Sequence, residues 1–409
     1  MTIYIYVDGM ERARFFKKFS NPLKKTGKEV VYIAGTLSSS LYLKSHGCTT
    51  IPLRFKLNKR KKTSMTILDT QKILSRSLSV ASGYHSGEEA CEIFENAYTF
   101  FSCLKEERRP SQVWLWSGTT TIALALQTVF KNDTALRFFE LSNLGKRLFV
   151  DPQGTNANSF VCYHQEILDS CPCDEKTFDE WKTKYIQSIN LPPQSKNKKH
   201  IPWERGIDLL GSWLLKYPME DRRDKLRLLY NKLKNIFQPI DFPVLDLSSP
   251  FVFAPLQVSN DAQVKLFSKY GNFDIIDKGI EIAEEIGCKL VVKIHPAESD
   301  REQIEKICSL AQRKGFEIVG NDTGDLIRKS EHVVVNNSTV GLMALIYEKP
   351  VTVLGEAIYK SFNQNRLRSY IINYLIEGDY FGETPMSAKS INAIIEHDEN
   401  WCLLHGSKQ

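Results

Sequence analysis

Short apolar runs alternate with amphipathic helical patterns along most of this chain of 409 residues, and this alternation constrains the fold more than any other feature. In the first part, the runs EVVYIA at 29–34 and VWLW at 113–116 both end at a glycine turn, and helical patterns lie between and after them. Strand–helix alternation with short turns is typical of a parallel sheet covered by helices on both faces. The pattern therefore predicts an α/β fold.

The same alternation returns after residue 251, with predicted strands at 251–258, 289–294 and 333–335. The segment between the two parts is polar, helical in pattern and interrupted by LPPQSKNKKHIP, which indicates an inserted connector. We predict four regions: an N-terminal Rossmann-like domain (1–160), a helical connector (161–245), a C-terminal Rossmann-like domain (246–360) and C-terminal helices that pack back (361–409).

Composition excludes several classes of protein. Apolar residues make up 42% of the chain and charged residues 25%, which excludes disorder. No apolar run approaches the roughly 18–20 residues that span a bilayer. The start, MTIYIYVDGMERARFF, lacks the pattern of a signal peptide and predicts a cytoplasmic protein.

The net charge is +6, with dense basic runs at 54–62 and 196–199. Such runs are usually solvated loops, but they also favour peripheral contact with anionic lipid at the inner face of the inner membrane. No nucleic-acid-binding motif accompanies the charge, so nucleic acid is not an expected partner.

Polar clusters follow four of the predicted strands, at 138–143, 257–263, 293–296 and 337–339. In open α/β sheets, ligands bind outside the carboxyl ends of the strands. Each cluster also has a simpler interpretation. Glu140 suits a helix cap or salt bridge, Asp261 suits an N-cap, and a lone histidine such as His295 is usually satisfied within a core. Their common position at strand ends nevertheless predicts one shared crevice.

The stretch VVVNNSTVGLMALIYEKPVTVLG at 333–355 reads as strand, polar turn, helix and strand. Ser338 and Thr339 fall at the start of the helix, where the backbone N–H groups and the helix dipole favour an anion. Both residue types are also ordinary N-caps. His295 ends an apolar strand and precedes Pro296, so a ring nitrogen at the sheet rim is placed to donate to phosphate.

The segments FAPLQVSNDAQ, KIHP and VNNSTVGLMALIYEKPVTVLGEAIY occur in an order that resembles the bacterial capsule-polysaccharide synthesis family, which includes retaining β-Kdo transferases. The resemblance covers about residues 251–360. The match at FFELSNL is weaker, because many relatives carry Glu-Glu-Gly or Glu-Asp-Gly where this chain has only Glu140. This departure points to the lipopolysaccharide or O-antigen type rather than the lipid-anchor capsule enzymes.

The resemblance implies a GT-B-like fold of two facing domains that bind CMP-β-Kdo between them and transfer Kdo, with retention, to a lipid-linked glycan acceptor. It implies no cofactor beyond this donor and no metal, consistent with the lack of a DxD motif. Asp261 would be the nucleophile and Glu140 the general acid/base. The nucleotide phosphate would meet His295, Pro296, Asn337, Ser338, Thr339 and Lys293. The sugars would meet Gln263, Asn260, Lys146, Arg147, Asn156 and Ser159.

Three other functions remain open at this point. A sialyltransferase would also use a CMP-activated keto-sugar acid and a His-Pro pair. A UDP-sugar epimerase would share the two-domain shape but need no acceptor. A non-catalytic scaffold would use the basic runs to bind a membrane or a partner, but it would not require four polar clusters at strand ends.

Overall fold

The computed structural model describes residues 1–55, 66–189, 202–218, 241–259 and 261–398. Several predictions fall elsewhere. Asn260, most of the basic run at 54–62 and the whole run at 196–199 lie outside the described residues, as does the side chain of Gln263.

Strands and helices alternate as the sequence predicts. The strands are β1 Thr2–Val7, β2 Glu29–Ala34, β3 Thr50–Pro52, β4 Gln112–Trp116, β5 Ala135–Leu141, β6 Arg147–Asp151, β7 Phe251–Pro255, β8 Lys289–Lys293, β9 Glu317–Ile318, β10 His332–Val335, β11 Val351–Val353 and β12 Ile376–Glu377. The helices are α1 Met10–Lys17, α2 Ser20–Lys25, α3 Leu37–Ser45, α4 Ile67–Leu74, α5 Leu78–Ala81, α6 Gly87–Glu107, α7 Thr121–Phe130, α8 Phe160–Tyr163, α9 Glu175–Ile189, α10 Pro202–Leu215, α11 Ala262–Phe267, α12 Asn272–Ile286, α13 Arg301–Lys314, α14 Thr323–Lys329, α15 Thr339–Ile346, α16 Gln364–Ser369 and α17 Ala388–Glu396. Two 3₁₀ turns, Asn156–Asn158 and Gln165–Leu168, and a π-helical turn, Tyr370–Tyr374, complete the described structure.

The described residues fall into two compact units. The first unit comprises those of 1–220 together with those from 364 onward, and the second comprises those of 221–363. Both contain a sheet with helices, so the predicted α/β class is confirmed.

The sheet of the first unit has the described strand order β12-β6-β5-β4-β1-β2-β3. Its side chains alternate between two cores. Ile3 and Ile5 of β1 pack with aromatic residues of α1, whereas Tyr4 and Tyr6 pack with α6 and α7. Because successive strand residues point to opposite faces, this division means that helices cover both sides of the sheet.

The sheet of the second unit is parallel throughout its described strands, in the order β11-β10-β7-β8-β9. Val252 and Ala254 of β7 pack toward α12 and α13, while Phe251 and Phe253 pack toward α14 and α15. The carboxyl ends of β7, β8 and β10 therefore lie side by side at one edge.

Three features of the first unit correct the sequence prediction. The sheet is not wholly parallel, because β6 pairs antiparallel with β5 and β12 pairs antiparallel with β6. Glu140 does not follow its strand, which continues to Leu141 and pairs Glu140 with Phe149. The region at 361–409, predicted as helices, contains the π-helical turn and the short strand β12 besides α16 and α17. Among the described helices, none combines the length and apolar character that a membrane crossing requires.

Candidate active site

Three predicted polar clusters meet at the carboxyl edge of the second sheet. Gln257 follows β7, His295 follows β8, and Asn337 follows β10, and in the sheet β7 lies between β8 and β10. Along this edge, Gln257 therefore lies between the His-Pro turn after β8 and the polar turn before α15.

A buried amide pair joins two of these strand ends. The side-chain N–H of Gln257 donates to Asn337 Oδ1 at 3.2 Å, and the backbone N–H of Asn337 donates to Gln257 Oε1 at 3.3 Å. The side chain of Asn272, at the start of α12, accepts the backbone N–H of Gln257 at 3.0 Å and donates to the carbonyl of Gln257 at 2.8 Å. Buried amide groups are stable only when they are hydrogen-bonded. The bonds among Gln257, Asn272 and Asn337 therefore fix the positions of these three residues in the site.

The polar turn before α15 is held closely in place. Ser338 is the N-cap, and its hydroxyl accepts the N–H of Val340 at 3.2 Å, so the capping interpretation is confirmed. The backbone carbonyl of Ser338 accepts the hydroxyl of Tyr359. Tyr359 also fills the space beside Gly341, where a Cβ would lie 2.6 Å from the tyrosine oxygen. The helix start is thus positioned with its dipole end toward the strand edge.

His295 has a defined tautomer. Its Nδ1 lies 3.0 Å from the backbone nitrogen of Ala297 and accepts that N–H, so in the neutral ring the proton is on Nε2. Desolvation lowers the pKa of His295, while the charges of Asp261 and Glu298 oppose this shift. A neutral ring with an Nε2–H donor is therefore the form expected at neutral pH.

The charge of Asp261 opposes the lowering of the His295 pKa. Asp261 immediately precedes α11, and its backbone carbonyl accepts the N–H of Lys265 at 3.0 Å. Its N–H donates to the carbonyl of Val258 at 2.9 Å, which closes a tight turn after β7. The half-buried carboxylate is thus held on a short, hydrogen-bonded loop beside the His-Pro turn.

Glu298 joins these two loops, and sequence reasoning missed it. One carboxylate oxygen accepts both the N–H and the hydroxyl of Ser259, at 2.7 and 2.6 Å. The other accepts the N–H groups of Ser299 and Asp300, at 2.7 and 2.8 Å. Glu298 is only 9% exposed. A single buried carboxylate therefore ties the loop that carries Asp261 to the turn that carries His295.

Lys293 and Pro296 flank this turn. The Lys293 ammonium donates to the carbonyl of Asn321 at 2.6 Å and lies 3.0 Å from the hydroxyl of Thr323. Desolvation lowers its pKa, and the charge of Asp322 opposes the shift. Two of its three donors are engaged within the unit, so at most one remains to meet a ligand. Pro296 is exposed.

The site residues predicted in the first unit have contacts of their own. Glu140 is half-buried and its Oε1 accepts the N–H of Leu141 at 2.9 Å. Arg147 donates to the carbonyls of Ile372 and Leu375, both at 3.1 Å, and desolvation lowers its pKa. These bonds join β6 to the chain before β12.

Of the three other residues predicted in this unit, Lys146 precedes β6, and Asn156 and Ser159 follow it. Lys146 is exposed and lies 3.5 Å from a carboxylate oxygen of Asp379. Asn156 has a positive φ of 55°, and its carbonyl accepts the hydroxyl of the buried Ser159 at 2.6 Å. The loop between β6 and α8 is therefore ordered by local bonds.

Asp151 is the anchor of that loop, and it was not among the residues predicted for the site. Its carboxylate is fully buried. It accepts the N–H groups of Gln153, Gly154, Phe160 and Val161 at 2.8 to 3.3 Å, and the hydroxyl of Tyr374 at 2.7 Å. Burial raises the pKa of Asp151, and the backbone donors offset part of this effect.

The described residues contain no group of three or more His, Cys, Asp or Glu side chains arranged to hold a metal ion. The carboxyl edge of the second sheet presents a carboxylate, an imidazole N–H, an ammonium and a helix N-terminus.

Comparison with known proteins locates the resemblance in the second unit. Residues 225–363 match the family model described as capsule polysaccharide biosynthesis protein. The match confirms, for that segment, the family resemblance predicted from the three motifs.

Two curated relatives match over a similar length. Protein FixF of Sinorhizobium fredii is 36% identical over 124 residues, which is 29% of this chain and 29% of FixF. Capsule polysaccharide export protein KpsS of Escherichia coli is 31% identical over 127 residues, which is 28% of this chain and 32% of KpsS. The matched part thus spans less than a third of either relative.

Among solved structures, the beta Kdo 2,7 transferase of Thermosulfurimonas dismutans KpsC aligns over 97% of this chain and 98% of its own, at 16% identity and a TM-score of 0.47.

Proposed function

We propose that this chain, whose residues 225–363 match the capsule polysaccharide biosynthesis family, is a glycosyltransferase that moves Kdo from CMP-β-Kdo to a sugar hydroxyl of a bacterial surface polysaccharide with retention. The acceptor is a lipid-linked glycan, and the enzyme works in the cytoplasm. The observation that carries the proposal is the meeting of a carboxylate, a neutral imidazole and a helix N-terminus at one sheet edge.

The phosphate of CMP is the group that this edge suits. When the bond to the sugar breaks, negative charge grows on the phosphate, and donors already in place stabilise it without reorganising. The N-terminus of α15, with Ser338 and Thr339, supplies backbone donors and a positive dipole end. The Nε2–H of His295 supplies a further donor. Charge stabilisation of this kind requires no metal.

Asp261 is the proposed nucleophile. A carboxylate oxygen attacks the anomeric carbon of Kdo while the bond from that carbon to the phosphate oxygen breaks, and CMP leaves with the electron pair. The acceptor hydroxyl then attacks the same carbon, gives its proton to the general base and releases the Asp261 carboxylate. Two inversions give net retention. Glu140 is the proposed base.

The carboxylate of Kdo requires a cation, and three candidates differ in their surroundings. Lys293 belongs to the same sheet edge as His295, and its bonds to Asn321 and Thr323 use two of its three donors. Arg147 and Lys146 are engaged with the segment around β12. We favour Lys293 for this reason.

Intact-protein mass spectrometry after incubation with CMP-Kdo tests donor and mechanism together. We expect a mass increase of one Kdo residue, which peptide mapping locates on Asp261, and no increase for Asp261→Asn. Incubation with CMP-sialic acid is the parallel arm. An adduct from that donor alone would identify a sialyltransferase, and an adduct on another residue would remove Asp261 from the mechanism.

A further inference from the structure

Helix α10 of the first unit packs with its polar side inward. Glu204 is buried and binds the guanidinium of Arg14. Asp208 accepts the backbone N–H of Ser38 at 2.8 Å and the hydroxyl of Ser38 at 2.9 Å. Gly211 lies against Leu37, where a Cβ would come within 2.5 Å. The acidic and small residues of α10 therefore attach it to the unit.

The opposite side of α10 is apolar and exposed. Five large side chains form this surface, which we call the apolar face: Trp203 (55% exposed), Leu209 (54%), Leu210 (53%), Trp213 (75%) and Leu214 (60%). A surface helix of a globular protein normally has the reverse arrangement, with its apolar stripe against the core. A contiguous exposed apolar surface of this kind marks an interaction site.

Exposed basic residues lie near both ends of this helix. Arg205 stands in its first turn, and Lys216 directly follows its last residue. At the other end, the N–H of Phe55 donates to the carbonyl of Lys216 at 2.9 Å, and the guanidinium of Arg54 lies 5.4 Å from the ring centre of Tyr217. The second basic run, 54–62, thus starts beside the C-terminal end of α10.

We propose that the apolar face of α10 binds an anionic membrane surface, with the helix lying parallel to it. Tryptophan favours the boundary between headgroups and acyl chains, and leucine favours the acyl chains below it. Cations at both ends of the helix complement anionic headgroups. The acidic residues of the helix do not oppose this attraction at the surface, because they face inward and are bonded to Arg14 and Ser38.

This charge arrangement is what selects lipid over a protein partner. A protein that covered the apolar face would need no cations at both ends of the helix, whereas an anionic bilayer attracts Arg205, Lys216 and Arg54 at once. The proposal does not depend on the reaction that the second unit performs.

Vesicle flotation tests the proposal with the full chain. We expect the protein to float with vesicles of phosphatidylcholine and phosphatidylglycerol and to bind much more weakly to phosphatidylcholine alone. The double variant Leu210→Glu/Trp213→Glu should bind the anionic vesicles at least about tenfold more weakly, because two apolar anchors are replaced by charges that lipid repels. Val244→Glu is the matched control, since Val244 is 75% exposed in the second unit and should leave binding unchanged.

The triple variant Arg54→Gln/Arg205→Gln/Lys216→Gln separates the ionic part of the binding. It should weaken binding and reduce its dependence on salt. Equal binding of wild type and double variant would overturn the proposal, and so would a wild type that does not float. Hydrolysis of soluble CMP-Kdo should be the same in the double variant and the wild type, so a failure of the catalytic proposal is recognised separately. Unchanged thermal unfolding would show that both variants fold.

Discussion

The two units are built from the same alternation of strands and helices but differ at the edges of their sheets. In the second unit every described strand is parallel, so the polar residues after β7, β8 and β10 meet at one edge. In the first unit β6 and β12 run antiparallel, and the residues predicted for sugar binding mainly bond to neighbouring chain segments. Polar residues that follow strands therefore converge reliably only where the sheet is purely parallel.

The largest expected effect is at Asp261. Replacement by Asn removes the nucleophile but keeps the shape of the side chain, so transfer should fall on the order of a thousandfold or more while CMP still binds. Product formation and calorimetric CMP titration measure the two properties. Asp277→Asn, an exposed carboxylate paired with Lys314, is the control and should retain activity. Undiminished turnover of the Asp261→Asn variant would contradict the assignment of the nucleophile to the second unit.

The buried carboxylate of the first unit predicts a structural effect of similar size. Asp151→Asn replaces one acceptor oxygen by a donor that faces backbone N–H groups and Tyr374, and it should lower the free energy of unfolding by about 3 kcal/mol. Urea unfolding measures this change. Asp169→Asn, which removes an exposed ion pair with Arg366, should cost less than about 1 kcal/mol. Equal effects of the two changes would contradict the role of Asp151 as an anchor.

His295→Ala should weaken CMP binding by about 1.5–3 kcal/mol, the size of a hydrogen bond to a charged group. His295→Asn keeps a side-chain donor and should restore part of the affinity. Because desolvation lowers the pKa of His295 below 6.5, the ring is neutral at and above pH 7, and CMP affinity should be constant between about pH 7 and 8. A steady loss of affinity across that range would indicate that the charged imidazolium binds the phosphate.

A stability effect of His295 has a defined sign. The imidazole of His295 binds a proton more tightly in the unfolded chain than in the folded protein. The contribution of His295 to the free energy of unfolding is therefore fully present above pH 6.5 and is lost as the pH falls through the lowered pKa. The difference in unfolding free energy between wild type and His295→Asn, measured at pH 7 and at pH 5, should therefore shrink at the lower pH.

The smallest effect is expected at Glu298, which positions other residues rather than reacting. Glu298→Gln keeps the shape but weakens the charge-assisted bonds to Ser259, Ser299 and Asp300, and turnover should fall by about tenfold while CMP affinity changes little. Glu302→Gln, an exposed carboxylate on α13 paired with Lys306, is the control. A change in CMP affinity with unaltered turnover would assign Glu298 to nucleotide binding instead.

Much of the fold could be predicted from the sequence because strong periodicity and clear caps coincide. The strand at 29–34 has the predicted bounds, and the strands predicted at 113–116 and 333–335 each begin one residue earlier in the structure. The strands β6 and β12 were missed for a physical reason. Both lie beside polar stretches, and β12 has two residues, so neither produces a recognisable alternation.

The candidate site was predictable to a similar degree. Strand ends identified His295 and Ser338 because position in a parallel sheet determines which residues meet. Glu298 and Asp151 could not be found in this way. Their importance comes from the backbone N–H groups that surround them in the folded chain. No sequence pattern predicts which backbone N–H groups a carboxylate in a turn will accept.

The contact between Tyr359 and Gly341 has an evolutionary consequence. The tyrosine hydroxyl holds the carbonyl of Ser338 and its ring occupies the place of a side chain at 341. In related chains, a residue larger than glycine at 341 should therefore appear only together with a smaller one at 359, so the two positions should vary as a pair.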